Sequence, residues 1–229
     1  MKDILKLQNI LEVKFKNEKL LQQALVHRSY LNENTKFELE HNERLEFLGD
    51  AVLELIVTDY LYSNYNNPEG ELTNWRAALV NSTNLATTAR EINIEEFLYL
   101  SKGESKDNNT KARNYILANA MEAIIGAIYL DQGYEVVKIF ISKFILAKLP
   151  DILKHKLYLD AKTTFQENAQ DKVGITPTYK VLSEVGPDHK KTFTIGIYLE
   201  NEEIAQGTGT SKQEAETDAA KNGLEEKGW

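Results

Sequence analysis

The stretch NERLEFLGDAVLEL, residues 42–55, decides how the first part of the chain is interpreted. Its apolar residues recur at the spacing of an α-helix that is buried on most sides. Three carboxylates, Glu43, Glu46 and Asp50, interrupt this pattern at positions i, i+3 and i+7, so they project from one sector of the helix. Burying a carboxylate without a partner is costly, and like charges this close repel. The segment therefore predicts either an acidic edge in water or a bound cation that compensates the charges.

A second apolar helix carries polar side chains with similar spacing. Asn119 and Glu122 lie three residues apart in ILANAMEAIIGAIYLD, residues 116–131. Two helices that each present oxygen atoms on one face can form a site for a hard cation such as Mg²⁺, which keeps several waters, one of which can become a nucleophile. The residues alone thus predict a metal-dependent helical protein. A metal-storage or redox bundle is disfavoured because histidine ligands at carboxylate-bridging spacing are missing.

Composition is that of an ordinary soluble globular protein. The chain has 229 residues, 42% hydrophobic and 27% charged, enough for one large domain or two modest ones. It contains no cysteine, which excludes disulfides and thiolate metal sites. We find neither a signal peptide nor an apolar run of membrane length, so we expect a cytoplasmic protein without a membrane partner. The net charge of −8 disfavours a polyanion partner but does not exclude one, because affinity depends on where basic side chains cluster.

The sequence pattern changes near residue 150. Before it, apolar residues recur at helical spacing, with breakers such as NNPEG at 66–70. After it, TYKVLSEV, KTFTIGIYL and EEIAQGTG alternate as strands do, and a final helix is expected to begin at Ser211 with a capping box completed by Glu214. We therefore predict an all-α helical domain over 1–149, a linker over 150–159, and a small α+β domain of α-β-β-β-α order over 160–229.

Four blocks of sequence, in order, resemble motifs of the ribonuclease III family. They are HNERLEFLGDAVLEL at 41–55, PEGELT at 68–73, ILANAMEAIIGAIYLD at 116–131, and the region 160–229, which resembles a double-stranded-RNA-binding domain. The resemblance implies a homodimeric endonuclease that hydrolyses both strands of duplex RNA with Mg²⁺, for which Mn²⁺ could substitute. It implies products with 5′-phosphate and 3′-hydroxyl ends, and a role in ribosomal and messenger RNA processing.

The resemblance also implies roles for individual residues of the first domain. The positions that match the family's metal ligands are Glu46, Asp50, Asn119 and Glu122. Glu43 and Glu69 match acidic residues that handle the RNA and the scissile strand, and these six form the expected catalytic set. Phe47 matches an apolar contact between the two protomers.

Asn119 departs from the family pattern, which has aspartate at this position. An amide oxygen can coordinate Mg²⁺ but brings no negative charge, so we expect weaker metal binding and slower cleavage. The change fits an engineered variant, a natural variant of reduced activity, or a tolerated ligand change. It also favours an alternative function, a dimeric RNA-binding protein that no longer cuts. The carboxylates kept at the other five positions favour the enzyme.

The C-terminal part carries the contacts that duplex RNA requires. A-form RNA is recognised through its shape, 2′-hydroxyls and phosphates, which takes a helix, a loop and basic groups. The positions that match the family's RNA contacts are Thr163, Gln166, Glu167, Pro187, His189, Ser211 and Lys212. Residues 160–229 hold 8 Lys against 13 Asp and Glu, and Gln213 stands where the family usually has a second lysine. We therefore expect modest, salt-sensitive affinity for RNA.

Overall fold

The computed structural model describes residues 2–106, 110–187 and 191–229. The chain forms two compact units, of which the first ends at Tyr158 and the second is Leu159–Trp229. The segment predicted as a linker, 150–159, overlaps a short helix whose Ile152 is buried in the core of the first unit. The domain limits at 149 and 160 stay predictions.

The first unit is helical, as predicted. Its helices are α1 (Ile4–Leu11), α2 (Glu18–Ala24), α3 (Arg28–Glu33), α4 (Glu43–Asn64), α5 (Glu69–Val80), α6 (Ser82–Glu91), α7 (Lys102–Lys106), α8 (Thr110–Gln132), α9 (Tyr134–Phe144) and α10 (Leu149–Lys154), with 3₁₀ turns at Ile94–Phe97 and Leu146–Lys148. Within the described ranges, each helix is too short or too polar to span a bilayer.

Helices α4 and α8, with 22 and 23 residues, cross at the centre of the first unit. Glycines make the close crossing possible. A Cβ atom on Gly49 would lie 1.7 Å from the backbone oxygen of Glu122, and one on Gly126 would lie 2.2 Å from that of Leu45. Backbone atoms cannot yield as a flexible side chain can, so a larger residue at either position would separate the helices. The crossing therefore fixes α4 against α8 within one turn of Glu46, Asp50 and Glu122.

Helix α4 is less buried than its sequence predicts. Leu45, Val52 and Leu53 face the core, but Phe47 is 81% exposed and Leu55 is 58% exposed. The expectation that segment 42–55 is buried on most sides is therefore wrong for one face, because no other helix of the chain covers the stripe from Phe47 to Leu55 among the described residues. Large exposed apolar side chains on one face indicate a surface for another molecule.

The second unit has the predicted α-β-β-β-α order. Its elements are α11 (Ala161–Val173), β1 (Thr178–Val185), β2 (Thr192–Leu199), β3 (Glu202–Gly209) and α12 (Lys212–Lys227). The antiparallel sheet has the order β1-β2-β3. Ile195, Ile197 and Leu199 are buried at alternate positions of β2, and Ile197 and Leu199 pack with Phe165 of α11.

The start of α12 is capped as the sequence predicts, with one difference. The Glu214 backbone N–H donates to Ser211 Oγ at 3.2 Å. The Glu214 carboxylate accepts from the backbone N–H of Thr210, at 3.0 Å, rather than from that of Ser211. The cap satisfies backbone donors that a helix leaves unpaired at its first turn.

Candidate functional site

The facing surfaces of α4 and α8 bring together the four side chains predicted as metal ligands. The charges of Asp50 and Glu46 both act on Glu122, and the Asn119 amide donates a hydrogen bond to Glu46. Glu46, Asn119 and Glu122 are partly buried, whereas Asp50 is exposed. The group thus forms an acidic patch at the edge of the helix crossing, open to solvent on the side of Asp50.

Negative charge is concentrated at this patch. Burial raises the pKa of Glu122 to about 8, and the charges of Asp50, Glu46 and Glu54 add to the rise. The pKa of Glu46 is raised by burial first and by Glu43 second, while the hydrogen bond from Asn119 lowers it. Both carboxyl groups resist ionisation, first because burial disfavours the charged form and second because neighbouring carboxylates repel a further negative charge.

The basic groups near the patch pair with carboxylates at its ends. Arg28 Nη1 lies 3.3 Å from Glu43 Oε1. Arg76 Nε lies 3.0 Å from Glu54 Oε2, one turn of α4 beyond Asp50. Among the described residues, no lysine, arginine or histidine forms an ion pair with the carboxylates of Glu46, Asp50 or Glu122. Their oxygen atoms are therefore available to a cation from solution.

The donor set of the patch fits a hard divalent cation. Carboxylate and amide oxygens are the ligands that Mg²⁺ takes, and Mg²⁺ completes its shell with water. In the part of the chain that is described, no three His, Cys, Asp or Glu side chains are close enough to hold a metal by themselves. A metal at the patch would therefore need Asn119 or water oxygens among its ligands.

Glu69 lies apart from the patch. Its exposed side chain accepts a hydrogen bond from Thr73 Oγ1 at 3.0 Å, and it lines a cleft of about 650 Å³ between α4 and α5 with Tyr62 and Arg76. Within the described ranges, Glu69 forms no hydrogen bond or ion pair with Glu46, Asp50, Asn119 or Glu122. The structure thus brings together four of the six residues of the expected catalytic set. Glu43 adjoins them through its charge on Glu46.

Phe47 stands beside a second cleft, of about 680 Å³. The cleft is lined by apolar and polar side chains from α2, from α4 and the segment just before it, and from the end of α8, including Leu20, His41, Leu48 and Leu130. Leu130 is itself largely exposed. An exposed ring and an adjacent, partly apolar cleft thus occur on the same surface.

The predicted RNA contacts of the second unit lie at its surface. Thr163, Gln166 and Glu167 are exposed on α11, on the side opposite the buried Phe165. Pro187 is exposed in the β1–β2 connection, and His189 lies outside the described residues. Ser211 caps α12, and the Lys212 ammonium pairs with Glu184.

Three features of the site were not predicted from the sequence. Glu54 continues the acidic series of α4 one turn beyond Asp50, a signal that was available from the spacing alone. The glycines of the crossing also had a signal, since Gly49 and Gly126 interrupt helices that are otherwise rich in larger side chains. The ion pair of Arg76 with Glu54 joins α5 to α4 and could not be read from either helix separately.

Comparison with known proteins identifies a family for each of the two parts of the chain. Residues 17–149 match the family described as Ribonuclease-III-like. The chain belongs to the ribonuclease III family. Residues 161–227 match the double-stranded RNA binding motif, so the two structural units correspond to a ribonuclease III nuclease part and an RNA-binding part.

Curated ribonuclease III proteins are similar over almost the full chain. Ribonuclease 3 of Pelotomaculum thermopropionicum is 46% identical over 219 residues, which is 95% of this chain and 90% of that protein. Ribonuclease 3 of Streptococcus pneumoniae is 42% identical over 96% of this chain and 94% of its own length. The chain is therefore an endoribonuclease by family, a hydrolase of RNA.

A solved structure supports the fold of the first unit. The nuclease domain of ribonuclease III from Campylobacter jejuni aligns with a TM-score of 0.57 at 40% identity, covering 65% of this chain and 99% of that domain. That structure is described as having flexibility in a region involved in dimer formation.

Proposed function

We propose that the chain is a Mg²⁺-dependent endoribonuclease that cuts double-stranded RNA, with Mn²⁺ able to substitute. The observation that carries the proposal is the patch of Glu46, Asp50, Asn119 and Glu122, where negative charge has no basic partner among the described residues. A divalent cation would compensate that charge. The double-stranded RNA binding motif in the same chain supports duplex RNA as the substrate.

Glu46, Asp50, Asn119 and Glu122 would hold the metal on the facing surfaces of α4 and α8. A bound divalent cation activates water and offsets the charge that develops on a phosphate during hydrolysis. Glu43 would act on the RNA from the edge of the patch, where Arg28 pairs with its carboxylate. Glu69 would act on the scissile strand from the α4–α5 cleft, next to Arg76.

The reaction we propose is hydrolysis of a phosphodiester. Water adds to phosphorus, and the bond between phosphorus and the 3′-oxygen breaks. The 3′-oxygen takes up a proton, so the products carry a 5′-phosphate and a 3′-hydroxyl. Precursors of ribosomal and messenger RNA contain duplex segments, and we propose these as substrates, in the cytoplasm.

Asn119 is proposed to lower the activity without abolishing it. Its amide forms a hydrogen bond with Glu46 that lowers the pKa of that carboxyl group. An amide nitrogen is not a metal ligand, and the neutral side chain adds no charge to the metal site. A weaker metal site requires more Mg²⁺ for the same rate.

The second unit is proposed to bind duplex RNA through α11, the β1–β2 connection and the start of α12. Thr163, Gln166 and Glu167 offer polar groups on one exposed face of α11 for a minor groove. Pro187 and His189 would meet a second minor groove from the loop. Ser211 and Lys212 would meet phosphate at the helix N-terminus.

A homodimer is proposed from the first unit. Phe47 is 81% exposed and adjoins a cleft of mixed apolar and polar lining on the same surface. A two-fold axis brings the same patch of each protomer together, so each Phe47 could enter the cleft of its partner. The pairing would bury the exposed stripe of α4.

The proposal is tested by cleavage of a long RNA duplex and of its separated strands, with Mg²⁺, Mn²⁺ or EDTA. We expect metal-dependent cutting of the duplex alone, with 5′-phosphates at the new ends. Asp50→Asn should bind the duplex but not cut it. Asp59→Asn makes the same charge change on α4, where Asp59 pairs with Lys138, and should cut normally.

Asn119 is the one feature that favours the second candidate, a dimeric RNA-binding protein without nuclease activity. Duplex binding without cleavage at any metal concentration would support that candidate. Cleavage of single strands, or cleavage in EDTA, would contradict both.

A further inference from the structure

A carboxylate links the end of β1 to the start of α12 in the second unit. Lys212 Nζ lies 3.4 Å from Glu184 Oε1 and 5.8 Å from the ring centre of Phe193. Lys191 Nζ lies 3.9 Å from Glu184 Oε2. Glu184 and Phe193 are direct neighbours across β1 and β2. Strand pairing thus holds one carboxylate within reach of two lysines.

The position of this carboxylate suits an anion. The N-terminus of α12 carries a partial positive charge from the helix dipole, and Lys212 adds a full charge at its first residue. A lysine at that end of a helix is unfavourable unless an anion lies nearby. Glu184 supplies the anion within the protein, and an RNA phosphate would supply the same charge from outside.

We propose that Glu184 sets the RNA affinity of the second unit by competing with phosphate for Lys212, and secondarily for Lys191. The inference rests on the proposed binding of duplex RNA. Both side chains are accessible, with exposed fractions of 58% for Lys212 and 39% for Glu184, so phosphate can reach the ammonium group. An RNA phosphate must either displace Glu184 from Lys212 or bind Lys212 while Glu184 still offsets part of its charge.

The effect on affinity follows from charge rather than from shape. Lys212 and Glu184 together present almost no net charge to the RNA, whereas Lys212 alone would present about +1. A pair this exposed contributes little to folding, so its removal should leave the unit folded. Glu184 is therefore a tuning residue that lowers the affinity for RNA, and it has no part in the chemical step.

The test compares two variants of the full chain that change the charge equally. Glu184→Gln removes the competing carboxylate. Glu202→Gln removes the partner of Lys227, 3.2 Å away, at the other end of α12. Binding of a labelled RNA duplex is measured in EDTA, so that no RNA is cut, over a series of salt concentrations.

We expect Glu184→Gln to bind the duplex about three- to tenfold more tightly at ~0.05 M salt and Glu202→Gln to change affinity less than about twofold. The gain should shrink as salt rises, because exposed charges are screened. In a Lys212→Gln background, Glu184→Gln should gain less than in the unaltered chain.

Equal affinity of Glu184→Gln and the unaltered chain would overturn the inference, and so would weaker binding, which would mean that Glu184 orients the lysine for RNA. An undiminished gain in the Lys212→Gln background would also overturn it. Each of these outcomes would contradict the role of Glu184 without contradicting the proposed binding of duplex RNA. An unaltered chain that binds duplex no better than single strands would instead refute the proposed RNA binding itself.

Discussion

Asn119 places a neutral amide where α8 faces the carboxylates of α4. Asn119→Asp should restore a charged oxygen ligand and lower the Mg²⁺ concentration needed for half-maximal cleavage. We expect a gain of about tenfold or more in kcat/KM at limiting Mg²⁺, since one charge–metal contact in a partly buried site contributes on the order of 1.4 kcal/mol or more. The measurement is the rate of duplex cleavage across a Mg²⁺ titration.

Asn201→Asp serves as the control for this substitution. It adds the same charge in the exposed turn between β2 and β3, far along the chain from the patch. It should leave the Mg²⁺ dependence unchanged. If the chain and its Asn119→Asp variant cut alike at every Mg²⁺ concentration, Asn119 is a tolerated ligand and the proposed loss of activity is wrong.

Glu122 gives a prediction on stability in the absence of divalent metal. Its pKa is about 8 in the folded chain, above the ordinary value of 4.5, because of burial and then the neighbouring carboxylates. Between these two values the folded state binds more protons than the unfolded state, so its contribution to the free energy of unfolding falls as pH rises. Glu122→Gln removes the ionisable group, so the free energy of unfolding no longer falls with pH for this reason. We expect the variant to be about 1–3 kcal/mol more stable than the unaltered chain at pH 8 in EDTA.

The measurement is urea unfolding in EDTA at pH values from 4 to 9. At pH 4 the two proteins should have nearly equal stability, because Glu122 is then protonated in both states. Added Mg²⁺ should stabilise the unaltered chain more than the variant. A variant that is equally destabilised at pH 4 and pH 8 would show that Glu122 acts through packing rather than charge.

Helical spacing was sufficient to predict which polar side chains share a face of α4, and which share a face of α8. It could not predict their partners. Arg28 of α3 pairs with Glu43, and Arg76 of α5 pairs with Glu54. These contacts depend on how separate helices pack, which the spacing within one helix does not contain.

At the scale of elements, the crossing of α4 and α8 depends on Gly49. Gly49→Ala would place a methyl group against the backbone of Glu122, which cannot move aside without separating the helices. We expect a loss of about 2–4 kcal/mol in the free energy of unfolding and a large loss of cleavage, because the four site residues would no longer meet. Denaturant unfolding and the cleavage rate measure the two effects.

Gly70→Ala is the matched control. Gly70 lies in α5, and a methyl group there would meet nothing within 4 Å. This variant should be neutral or up to about 1 kcal/mol more stable, because alanine favours a helix more than glycine does. If both substitutions had the same small effect, the close crossing would not be what holds the site together.

The strands were easier to predict than the helix ends. Alternation predicted β1 and β3 with the bounds that the structure has, although β3 buries Ile204 and Gly207 whereas β1 is exposed along almost its whole length. Apolar residues keep helical spacing through residues 71–90, but the structure has two helices there, α5 and α6. The chain turns at Asn81, which is extended and whose side chain accepts from the backbone N–H of Asn84. Asparagine is a frequent N-cap, but because apolar residues keep helical spacing on both sides of Asn81, the end of α5 could not be predicted from the spacing.

At the scale of the whole molecule, the order of a helical unit and an α-β-β-β-α unit was predictable because each has its own periodicity. Contacts between distant segments were not predictable. Trp75 of α5 packs between Tyr65 and Tyr158, at centroid distances of 5.2 and 6.0 Å. The contact with Tyr158 holds the last residue of the first unit against the core of that unit. Tyr158 lies 83 residues after Trp75 in the sequence. Contacts between residues this far apart in the sequence depend on how the whole unit folds.

Phe47 gives the prediction at the scale of the assembly. Its exposed ring beside a partly apolar cleft suits contact with a second copy of the chain, and Phe47→Ala removes the ring while the core of α4 is unchanged. We expect the variant to sediment as a monomer at micromolar concentration, or to dimerise at least about tenfold more weakly, because truncation of a buried aromatic anchor costs about 2 kcal/mol or more. Val185→Ala truncates a similarly exposed apolar side chain in the second unit and should leave the dimer intact.

The cleavage pattern gives a second test of the proposed dimer. A monomer lacks the second site, so Phe47→Ala should cut opposite strands of a duplex independently, whereas the unaltered chain should cut them together. A variant that stays dimeric would show that the two copies meet elsewhere.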